Sequence, residues 1–339
     1  MAVLHSLQIP HESSPKEALE WFQRSIFSDI PPYFMTHWKT GKKFFYAGDA
    51  MLAFEETPQH LIVAGEPLVA AGSDDIDIYN AFLSFAQRKK KTICGYYVGK
   101  KWSWSRFFKV PLGTSIRIPL DDFDIQSPDA REVRRSLRKG QKLNYQAVPV
   151  LKPLREDNKK LQKLFKKWHR AKLPFHLKFF LSKPKSDSPI DSYEEWFVVE
   201  RQGEPLAFCS LLPYLRDGEL GFYVDHLIYD PKRDPHALSF LISFLIEVLK
   251  EEGVSELNLG LNPFARSDQS SLMGKLFGLL YHIPWFYRPK GLHFFKRKFT
   301  GLEEREYCFF QSHKNKWLGL ADMAKVTLLG GRPPARPQV

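Results

Sequence analysis

The sequence predicts an α+β protein of two tandem domains, each with a mixed central sheet flanked by helices. The chain has 339 residues, which is long for one compact unit and favours two domains of ordinary size. Its 43% hydrophobic and 14% aromatic residues can supply two buried cores and exclude wholesale disorder. The segment order strand, strand, strand, helix, strand is clear in the second half and fainter in the first.

The first half alternates short strands with amphipathic helices, and we assign residues 1–150 to an N-terminal domain. Apolar residues at three- and four-residue steps predict helices at Pro15–Phe27, Ile76–Arg88 and Ala130–Leu143. Short runs rich in β-branched and aromatic residues predict strands at Phe44–Ala47, Met51–Phe54, His60–Ala64, Thr92–Val98 and Tyr145–Pro149.

The second half carries the same order in stronger patterns, and we assign residues 151–312 to a C-terminal, catalytic domain. Helices are predicted at Asn158–Arg170 and Ala237–Glu252. Strands are predicted at Glu195–Glu200, Pro205–Tyr214, Gly218–Tyr229 and Ser255–Leu261. The polar, Pro- and Ser-rich stretch Ser182–Ser192 predicts a loop or lid.

This order is that of an acetyltransferase-type (GNAT-like) fold, in which one strand splays and an acyl donor occupies the gap. In acyl-CoA-dependent enzymes the turn after the third strand is Gly-rich, so that its N–H groups bind pyrophosphate. The corresponding turn here, Asp230–His236, has no glycine, two prolines and two carboxylates. We therefore expect an acyl donor other than acyl-CoA, and no cofactor.

The last segment, residues 313–339, predicts an amphipathic helix followed by a disordered Pro- and Arg-rich tail. One stripe of the helix carries Trp317, Leu320, Ala321, Ala324 and Leu328. An apolar stripe beside cations either lies in a membrane interface or packs on the second domain. The sequence leaves both alternatives open.

Composition favours an anionic partner in a reducing compartment. The net charge of +12 suits nucleic acid, an acidic membrane surface or a phosphorylated substrate, although solubility alone would also explain it. Three dispersed cysteines without a CxxC pair argue against disulfides and thiolate zinc sites. The N-terminus lacks signal-peptide features, and the longest apolar run, Ala237–Leu249, is too short to cross a bilayer. We expect a cytoplasmic protein, either soluble or peripheral on the membrane.

Cations recur at helical spacing on two predicted helices, which makes a polyanion such as a nucleic acid a candidate partner. The second helix, Asn158–Arg170, carries a lysine-rich polar side that could equally be a solvated face. On the first helix the candidate residues for binding a polyanion, which is tRNA if the family resemblance given below holds, are Arg131, Arg134, Arg135, Arg138 and Lys139.

A small polar pocket is predicted in the last third of the chain. Asn262 and Pro263 form a turn after a buried strand, and Asp225 interrupts an apolar strand. A carboxylate there is either paired in the core or bound to a cationic group such as an α-ammonium. Lys296 and Lys298 are predicted on one side of an aromatic element, with a surface Lys–Glu pair as the alternative.

Other chemistries have little support in the sequence. The eleven histidines show no HExxH or comparable ligand spacing, and no GxSxG or Walker sequence occurs. We therefore expect neither a metal site nor a serine hydrolase.

The residues of the predicted pocket and the segments around them resemble the soluble catalytic domain of bacterial phosphatidylglycerol lysyltransferases, the multiple peptide resistance factors. Val224-Asp225, Leu257–Ala265 (LNLGLNPFA) and Gly291–Phe299 (GLHFFKRKF) carry the resemblance, with Glu304 and Tyr307 behind them. It covers about residues 40–331. It implies two tandem acetyltransferase-like units and transfer of an aminoacyl group from charged tRNA to a hydroxyl of phosphatidylglycerol.

The resemblance also implies roles for individual residues. Asp225 would hold the aminoacyl ammonium, Lys298 would stabilise phosphate or an oxyanion, and Glu304 would act as base. Substrate contacts would come from Asn262, Pro263, Lys296 and Tyr307. The chain departs from the family pattern at His226–Ile228, which lacks an arginine. A catalytically degenerate tRNA- or lipid-binding protein and an acyltransferase with another donor are the alternatives.

Overall fold

A computed structural model describes most of the chain, and the following statements concern its described residues only. These are residues 11–13, 43–48, 50–69, 76–99, 107–151, 158–171, 193–230, 234, 236–283 and 289–329. The predicted helix Pro15–Phe27 and loop Ser182–Ser192 lie outside them.

The described residues form strands and helices that we number in chain order. The strands are β1 (His11–Ser13), β2 (Lys43–Ala47), β3 (Ala50–Glu56), β4 (His60–Ala64), β5 (Leu68–Val69), β6 (Thr92–Val98), β7 (Phe108–Pro119), β8 (Gln146–Pro149), β9 (Glu195–Arg201), β10 (Glu204–Arg216), β11 (Glu219–Tyr229), β12 (Glu256–Pro263) and β13 (Leu302–Phe310). The helices are α1 (Ile76–Arg88), α2 (Arg131–Lys142), α3 (Lys159–Ala171), α4 (Ala237–Glu251), α5 (Leu272–His282), α6 (Pro289–Arg297) and α7 (Lys316–Leu329).

These elements fall into two compact units. Unit 1 holds the described residues up to Val110 and those from Tyr307 onward, and unit 2 holds Pro111 to Glu306. The region 111–150, assigned from sequence to the N-terminal domain, thus lies in unit 2, and α7 lies in unit 1. The boundary falls inside β7 and inside β13.

Unit 1 is a mixed sheet covered by α1. Strands β1 to β4 pair antiparallel in succession, β4 pairs parallel with β6, and the C-terminal half of β13 pairs antiparallel with β6. Phe45 and Phe54 of the sheet contact Phe82 of α1 at ring-centroid distances of 5.1 and 5.3 Å. This aromatic packing buries the apolar face that the helical spacing predicts.

Unit 2 contains a sheet in the order β7-β12-β11-β10-β9-β8, with helices on both faces. Alternate residues of β9 point to opposite faces. Phe197 and Val199 join the core under α2 and α4, whereas Trp196 and Val198 join a second core under α3. The two cation-rich helices α2 and α3 therefore cover opposite faces of this sheet.

In each unit, the strand that follows the helix of the repeated order is flanked by a strand from a distant part of the sequence. In unit 1 β6 pairs with β13, and in unit 2 β12 pairs with β7, both antiparallel. These pairings join residues far apart in the chain, so local periodicity cannot reveal them. Because most of β7 pairs within unit 2 and the C-terminal half of β13 pairs within unit 1, no single sequence position divides the chain into the two units.

The α+β class and the strand and helix order are confirmed. In unit 2 β9, β10, β11, α4 and β12 follow the predicted order, and in unit 1 β2, β3, β4, α1 and β6 repeat it, with the short β5 preceding α1. None of the helices in the described part of the chain combines the length and apolarity needed to cross a bilayer.

The stripe predicted on the last helix is mostly its outer face. Met323 and Val326 of α7 are buried, whereas Trp317, Ala321 and Ala324 are exposed. The sequence pattern therefore does not mark the side on which α7 packs. Gly319 of α7 is also buried, and a Cβ added to it would lie 3.1 Å from the ring of Phe310.

Candidate active site

Unit 2 contains a splay between two neighbouring parallel strands. Within the described residues, β11 and β12 pair over three positions, Gly221–Tyr223 with Glu256–Asn258. Beyond this point β11 continues beside β10, and β12 continues beside β7. The two strands thus follow different neighbours and open a gap, and the predicted site residues Asp225 and Asn262 lie past its closed end.

A β-bulge places Asp225 on the β11 side of the splay. Ser210 pairs with His226 but Leu211 pairs with Val224, so Asp225 is an extra residue in the strand. Its side chain is 4% exposed, and its Oδ2 lies 2.9 Å from Nδ1 of His226. Because the bulge breaks the strict alternation of side chains, two consecutive residues join one cluster. Ser210 Oγ completes it at 2.8 Å from the same nitrogen.

A second carboxylate, Glu194, joins this cluster. Its Oε1 lies 3.8 Å from His226 Nδ1, and both side chains are buried. One ligand atom from each of Glu194, Asp225 and His226 lies within 4.8 Å of the others. Two buried carboxylates around one imidazole favour a cation, either an ammonium group or a metal ion. We did not single out Glu194 from the sequence, because its distance along the chain from Asp225 matches no ligand motif.

The β12 side of the splay is built around a second bulge at Gly260. The register with β7 shifts between Asn258 and Leu261, and Gly260 adopts φ +75°, a conformation that favours glycine. Its N–H donates to Oδ1 of Asn258 at 2.8 Å. The bulge presents two carbonyls to α6, and Lys296 Nζ donates to Gly260 O at 3.1 Å and Leu261 O at 3.0 Å.

Lys296 is a buried cationic side chain beside this bulge. Burial lowers its pKa from 10.5 to about 7, because an ammonium loses hydration there. Both protonation states are therefore accessible near neutral pH, as a group that exchanges protons with a substrate requires.

Asn262 lies next to the carbonyls that Lys296 binds. Its side chain is fully buried and its Nδ2 donates to Thr114 O at 3.1 Å. Its Oδ1 has no hydrogen-bond partner among the described residues, so it can accept one from a ligand. Pro263 ends β12, pairs with Gly113 and is half-buried.

The prediction that Lys296 and Lys298 share one side of an aromatic element is wrong. Their two-residue spacing suits a strand, but Lys296 lies in α6, and in a helix this spacing turns side chains by about 200°. Lys298 is 37% exposed, with Nζ 4.0 Å from Glu132 Oε1 and 5.9 Å from the ring of Phe294.

Glu304 belongs to an ion-pair network at the closed end of the splay. Its carboxylate lies 2.8 Å from Arg216 Nη2 and 3.2 Å from Arg117 Nε. The same arginines hold Glu256, whose pKa is raised by burial. Glu256 begins β12 and Asn262 lies six residues later, which in a strand is about 20 Å. The structure therefore brings Asn262 and Lys296 together but not Glu304.

Tyr307 lies in unit 1, whereas the other predicted site residues lie in unit 2. It pairs with Val98, and Lys109 Nζ lies 5.2 Å from its ring centroid. Its side chain is half-buried against the core of unit 1.

The five proposed tRNA-binding residues of α2 divide into two groups. Arg131, Arg135 and Arg138 are exposed. Arg134 donates to the carbonyls of Ile125 and Ser127. Nζ of Lys139 lies 2.6 Å from Nε2 of His236. Arg134 and Lys139 therefore link α2 to neighbouring segments of unit 2.

Comparison with known proteins identifies the family. Residues 32–310 match the family described as phosphatidylglycerol lysyltransferase, C-terminal. The chain belongs to this family.

Curated phosphatidylglycerol lysyltransferases of two staphylococci are among its relatives. That of Staphylococcus epidermidis is 24% identical over 291 residues, covering 82% of this chain and 34% of the relative. That of Staphylococcus haemolyticus is 23% identical over 299 residues, covering 83% and 34%. The chain spans about a third of the length of these relatives.

Solved structures share the fold. The DUF2156 C-terminal domain of an Agrobacterium fabrum protein has a TM-score of 0.78 at 19% identity, covering 94% of this chain and 99% of that one. L-PGS from Bacillus licheniformis has a TM-score of 0.75 at 20% identity, covering 96% and 100%. The recognised resemblance is thus confirmed for family and fold.

Proposed function

We propose that this member of the family transfers an aminoacyl group from aminoacyl-tRNA to a hydroxyl of phosphatidylglycerol or a related lipid. The observation that carries the proposal is the splay in unit 2. A carboxylate cluster occupies its β11 side, and a buried lysine with an unsatisfied asparagine oxygen occupies its β12 side. The family's name and its curated relatives support the lipid acceptor.

The aminoacyl end carries a cation that the β11 side suits. An aminoacyl ester bears an α-ammonium group, and a lysyl ester bears a second ammonium on its side chain. Asp225 would bind the α-ammonium, and buried Glu194 supplies a second negative charge within the same cluster. His226 lies beside Asp225 and can donate or accept a hydrogen bond there.

The transfer itself needs positioning and one proton acceptor, because the tRNA ester is already activated. The lipid hydroxyl would attack the ester carbonyl, forming a new C–O bond as the bond to the tRNA ribose breaks. Neutral Lys296 would take the hydroxyl proton and return it to the departing ribose oxygen. The Asn262 side chain would orient the lipid headgroup by accepting a hydrogen bond from its other hydroxyl. We favour Lys296 over Glu304 as proton acceptor, because two arginines bind the Glu304 carboxylate.

The tRNA would reach unit 2 along α2. Arg131, Arg135 and Arg138 are exposed at helical spacing and can neutralise successive phosphates. The opposite face, under α3, provides a matched comparison, since Lys159, Lys163 and Lys166 are also exposed. If α2 binds tRNA, charge-removing changes on α2 weaken binding and flatten its salt dependence more than equal changes on α3.

The direct test incubates the purified chain with tRNAs charged with radiolabelled amino acids and with phosphatidylglycerol dispersed in detergent. We expect labelled lipid with at least one amino acid, and loss of that product in Asp225→Asn. A matched control is Leu151→Gln, an exposed change away from the splay. Salt-sensitive tRNA binding without any labelled lipid would instead assign the chain to the degenerate binding proteins. The site of action would be the cytoplasmic face of the membrane, with the chain peripherally bound.

A further inference from the structure

Two helices, α5 and α6, follow β12 and extend unit 2 beyond the strand-strand-strand-helix-strand order. The second of them carries Lys296 to the bulge of β12. Helix α6 thus links the outer surface of the helical pair to the candidate site. This outer surface differs in composition from an ordinary solvent-exposed surface.

The inner faces of both helices are fixed by packing. Phe277 of α5 is buried and contacts Phe264 at a ring-centroid distance of 5.2 Å. Tyr281 Oη of α5 lies 2.7 Å from His293 Nδ1 of α6. Ser271 caps α5 by accepting a hydrogen bond from Gly274 N–H at 3.0 Å. The outward residues therefore stand on well-held helices.

The outer faces carry three large apolar side chains. Leu272 and Leu279 of α5 are 73% and 62% exposed, and Phe294 of α6 is 69% exposed. Leu272 and Leu279 are seven residues apart, which places them on one face of the helix. A single exposed leucine is ordinary, but three protruding apolar side chains on two packed helices mark an interaction surface.

The charged side chains of the two helices are basic, and the acidic groups near them lie on other segments. Glu132 Oε1 lies 4.0 Å from Lys298 Nζ, and Glu303 Oε1 lies 3.1 Å from Arg297 Nε. Lys275, Lys290 and Lys298 lie on or directly after the two helices and are exposed or half-buried. Neither α5 nor α6 contains an aspartate or a glutamate. Cations around protruding leucine and phenylalanine complement a surface with anionic groups outside and hydrocarbon beneath, which is the interface of an anionic bilayer.

We propose that the α5–α6 pair docks the protein on an anionic phospholipid bilayer, with Leu272, Leu279 and Phe294 inserted below the headgroups. Lys275, Lys290 and Lys298 would contact lipid phosphates. This inference rests on the proposed function in taking the acceptor to be a membrane lipid. It deepens that function by assigning the surface through which the lipid hydroxyl reaches Lys296.

Site-specific labelling tests the proposal in the whole chain. Cys94, Cys209 and Cys308 are all buried, so a single exposed cysteine can be labelled selectively with an environment-sensitive fluorophore. Labels at Leu279→Cys and Phe294→Cys should shift to apolar emission with vesicles of phosphatidylglycerol and phosphatidylcholine, and not with phosphatidylcholine alone. A label at Leu151→Cys, also strongly exposed, should not shift.

The helix α7 supplies the competing surface. Its Leu318 is 55% exposed, and a label at Leu318→Cys reports docking through that helix. A shift at 318 without shifts at 279 and 294 would overturn our assignment and move docking to α7. Shifts at 279 and 294 would support it.

Vesicle flotation measures the contribution of the apolar residues. Each of Leu272→Gln, Leu279→Gln and Phe294→Gln should lower vesicle partitioning by about tenfold, because each removes most of one inserted apolar side chain. These positions are exposed, so the variants should retain the wild-type melting temperature. Unchanged partitioning in all three would overturn the proposal. A shift from dimer to monomer in sedimentation, with partitioning unchanged, would assign the face to a second copy of the chain.

The docking proposal and the proposed function fail in different ways. If both hold, the three variants lose transfer to lipid in vesicles but keep transfer to lipid in detergent. If the wild type binds vesicles through α5–α6 but labels no lipid in either form, docking stands and the proposed reaction falls. If transfer in vesicles is undiminished in all three variants, docking falls and the reaction stands.

Discussion

The two units repeat one order of elements, yet among the described residues the parallel strands stay paired in unit 1 and separate in unit 2. In unit 1 the parallel strands β4 and β6 stay paired over five positions, from His60–Thr92 to Ala64–Tyr96, without a register shift. In unit 2 the equivalent strands β11 and β12 pair over three positions in the described residues and then separate. Strands β6 and β12 each contain a glycine, but the two glycines have different surroundings.

The two strands differ in whether they contain a bulge and in which residues lie beside the glycine. Gly95 of unit 1 lies against the ring of Phe309, where an added Cβ would stand only 2.5 Å away. Gly260 of unit 2 lies in a bulge and offers its carbonyl to Lys296. A regular pairing filled by an aromatic ring makes an apolar core in unit 1, whereas the bulged strand of unit 2 has polar neighbours.

Each unit also holds an aspartate, a histidine and a hydroxyl in contact. In unit 1 Asp322 Oδ2 lies 2.8 Å from His60 Nδ1 and accepts a hydrogen bond from Thr57 Oγ1 at 2.6 Å. In unit 2 Asp225, His226 and Ser210 form the corresponding group, to which Glu194 adds a second carboxylate. The unit 1 group provides a natural control for the proposed site.

The largest effect is expected from Asp225→Asn. The substitution keeps the shape but removes the charge that would bind an ammonium, so kcat/KM should fall by about 100-fold or more. The matched change Asp322→Asn in unit 1 should alter thermal stability but leave kcat/KM within about threefold. Transfer assays and thermal melts on both variants would measure this. Equal losses of activity in the two would show that the groups do not differ in function.

A somewhat smaller loss is expected from Lys296→Met. Removing a proton acceptor should lower kcat by about 100-fold. In the wild type kcat/KM should rise with pH up to about 7, the pKa of Lys296, and then level off. A pH–rate profile of the wild type and the variant tests this. A profile without an inflection near pH 7 would count against Lys296 as the base.

The same lysine makes stability depend on pH. Above about pH 7 the folded chain loses the Lys296 proton, whereas the unfolded chain keeps it up to about 10.5. The free energy of unfolding of the wild type should therefore rise with pH between these values, by at most about 1.4 kcal/mol per pH unit. Lys296→Met should lack this component. Denaturant melts of both proteins at pH 7 and pH 9 measure the difference, and parallel curves would contradict it.

An intermediate effect is expected from Gly260→Ala. At φ +75° an added Cβ would lie 3.0 Å from Tyr223 Oη, so the bulge must shift and carry its carbonyl away from Lys296. We expect about a tenfold loss of activity and a stability loss of about 1–3 kcal/mol. Gly95→Ala in unit 1 should destabilise the protein while the activity of the remaining folded fraction is kept. Chemical denaturation and specific activity separate the two.

The smallest effect is expected from Glu304→Gln. If Glu304 serves the network with Arg117 and Arg216, its loss should cost about 1 kcal/mol, because its side chain is partly exposed. Activity should then remain within about threefold of the wild type. Steady-state kinetics decide the point, since a loss of 100-fold or more would restore Glu304 as the base.

Local patterns predicted the elements well because they depend on neighbouring residues. The bounds of α1 and β6 agree with the sequence prediction at every residue, and α2, α3 and α4 agree within about one residue. The same reasoning failed at Lys296 and Lys298, where a short aromatic run is compatible with both a strand and a helix. Glu194 escaped prediction because only the folded sheet brings it beside His226.

The amino-acid order alone determined the fold class, most helices and strands and the family, and it marked Asp225 and Asn262 as candidate site residues. These follow from side-chain periodicity and from short motifs, which are properties of contiguous residues. Only the tertiary structure decided which strands β7 and β13 pair with. It also decided the two bulges, the pairing of Glu304 with arginines and the burial of Lys296. Each of these depends on strand register and desolvation, which arise when residues distant in the chain meet.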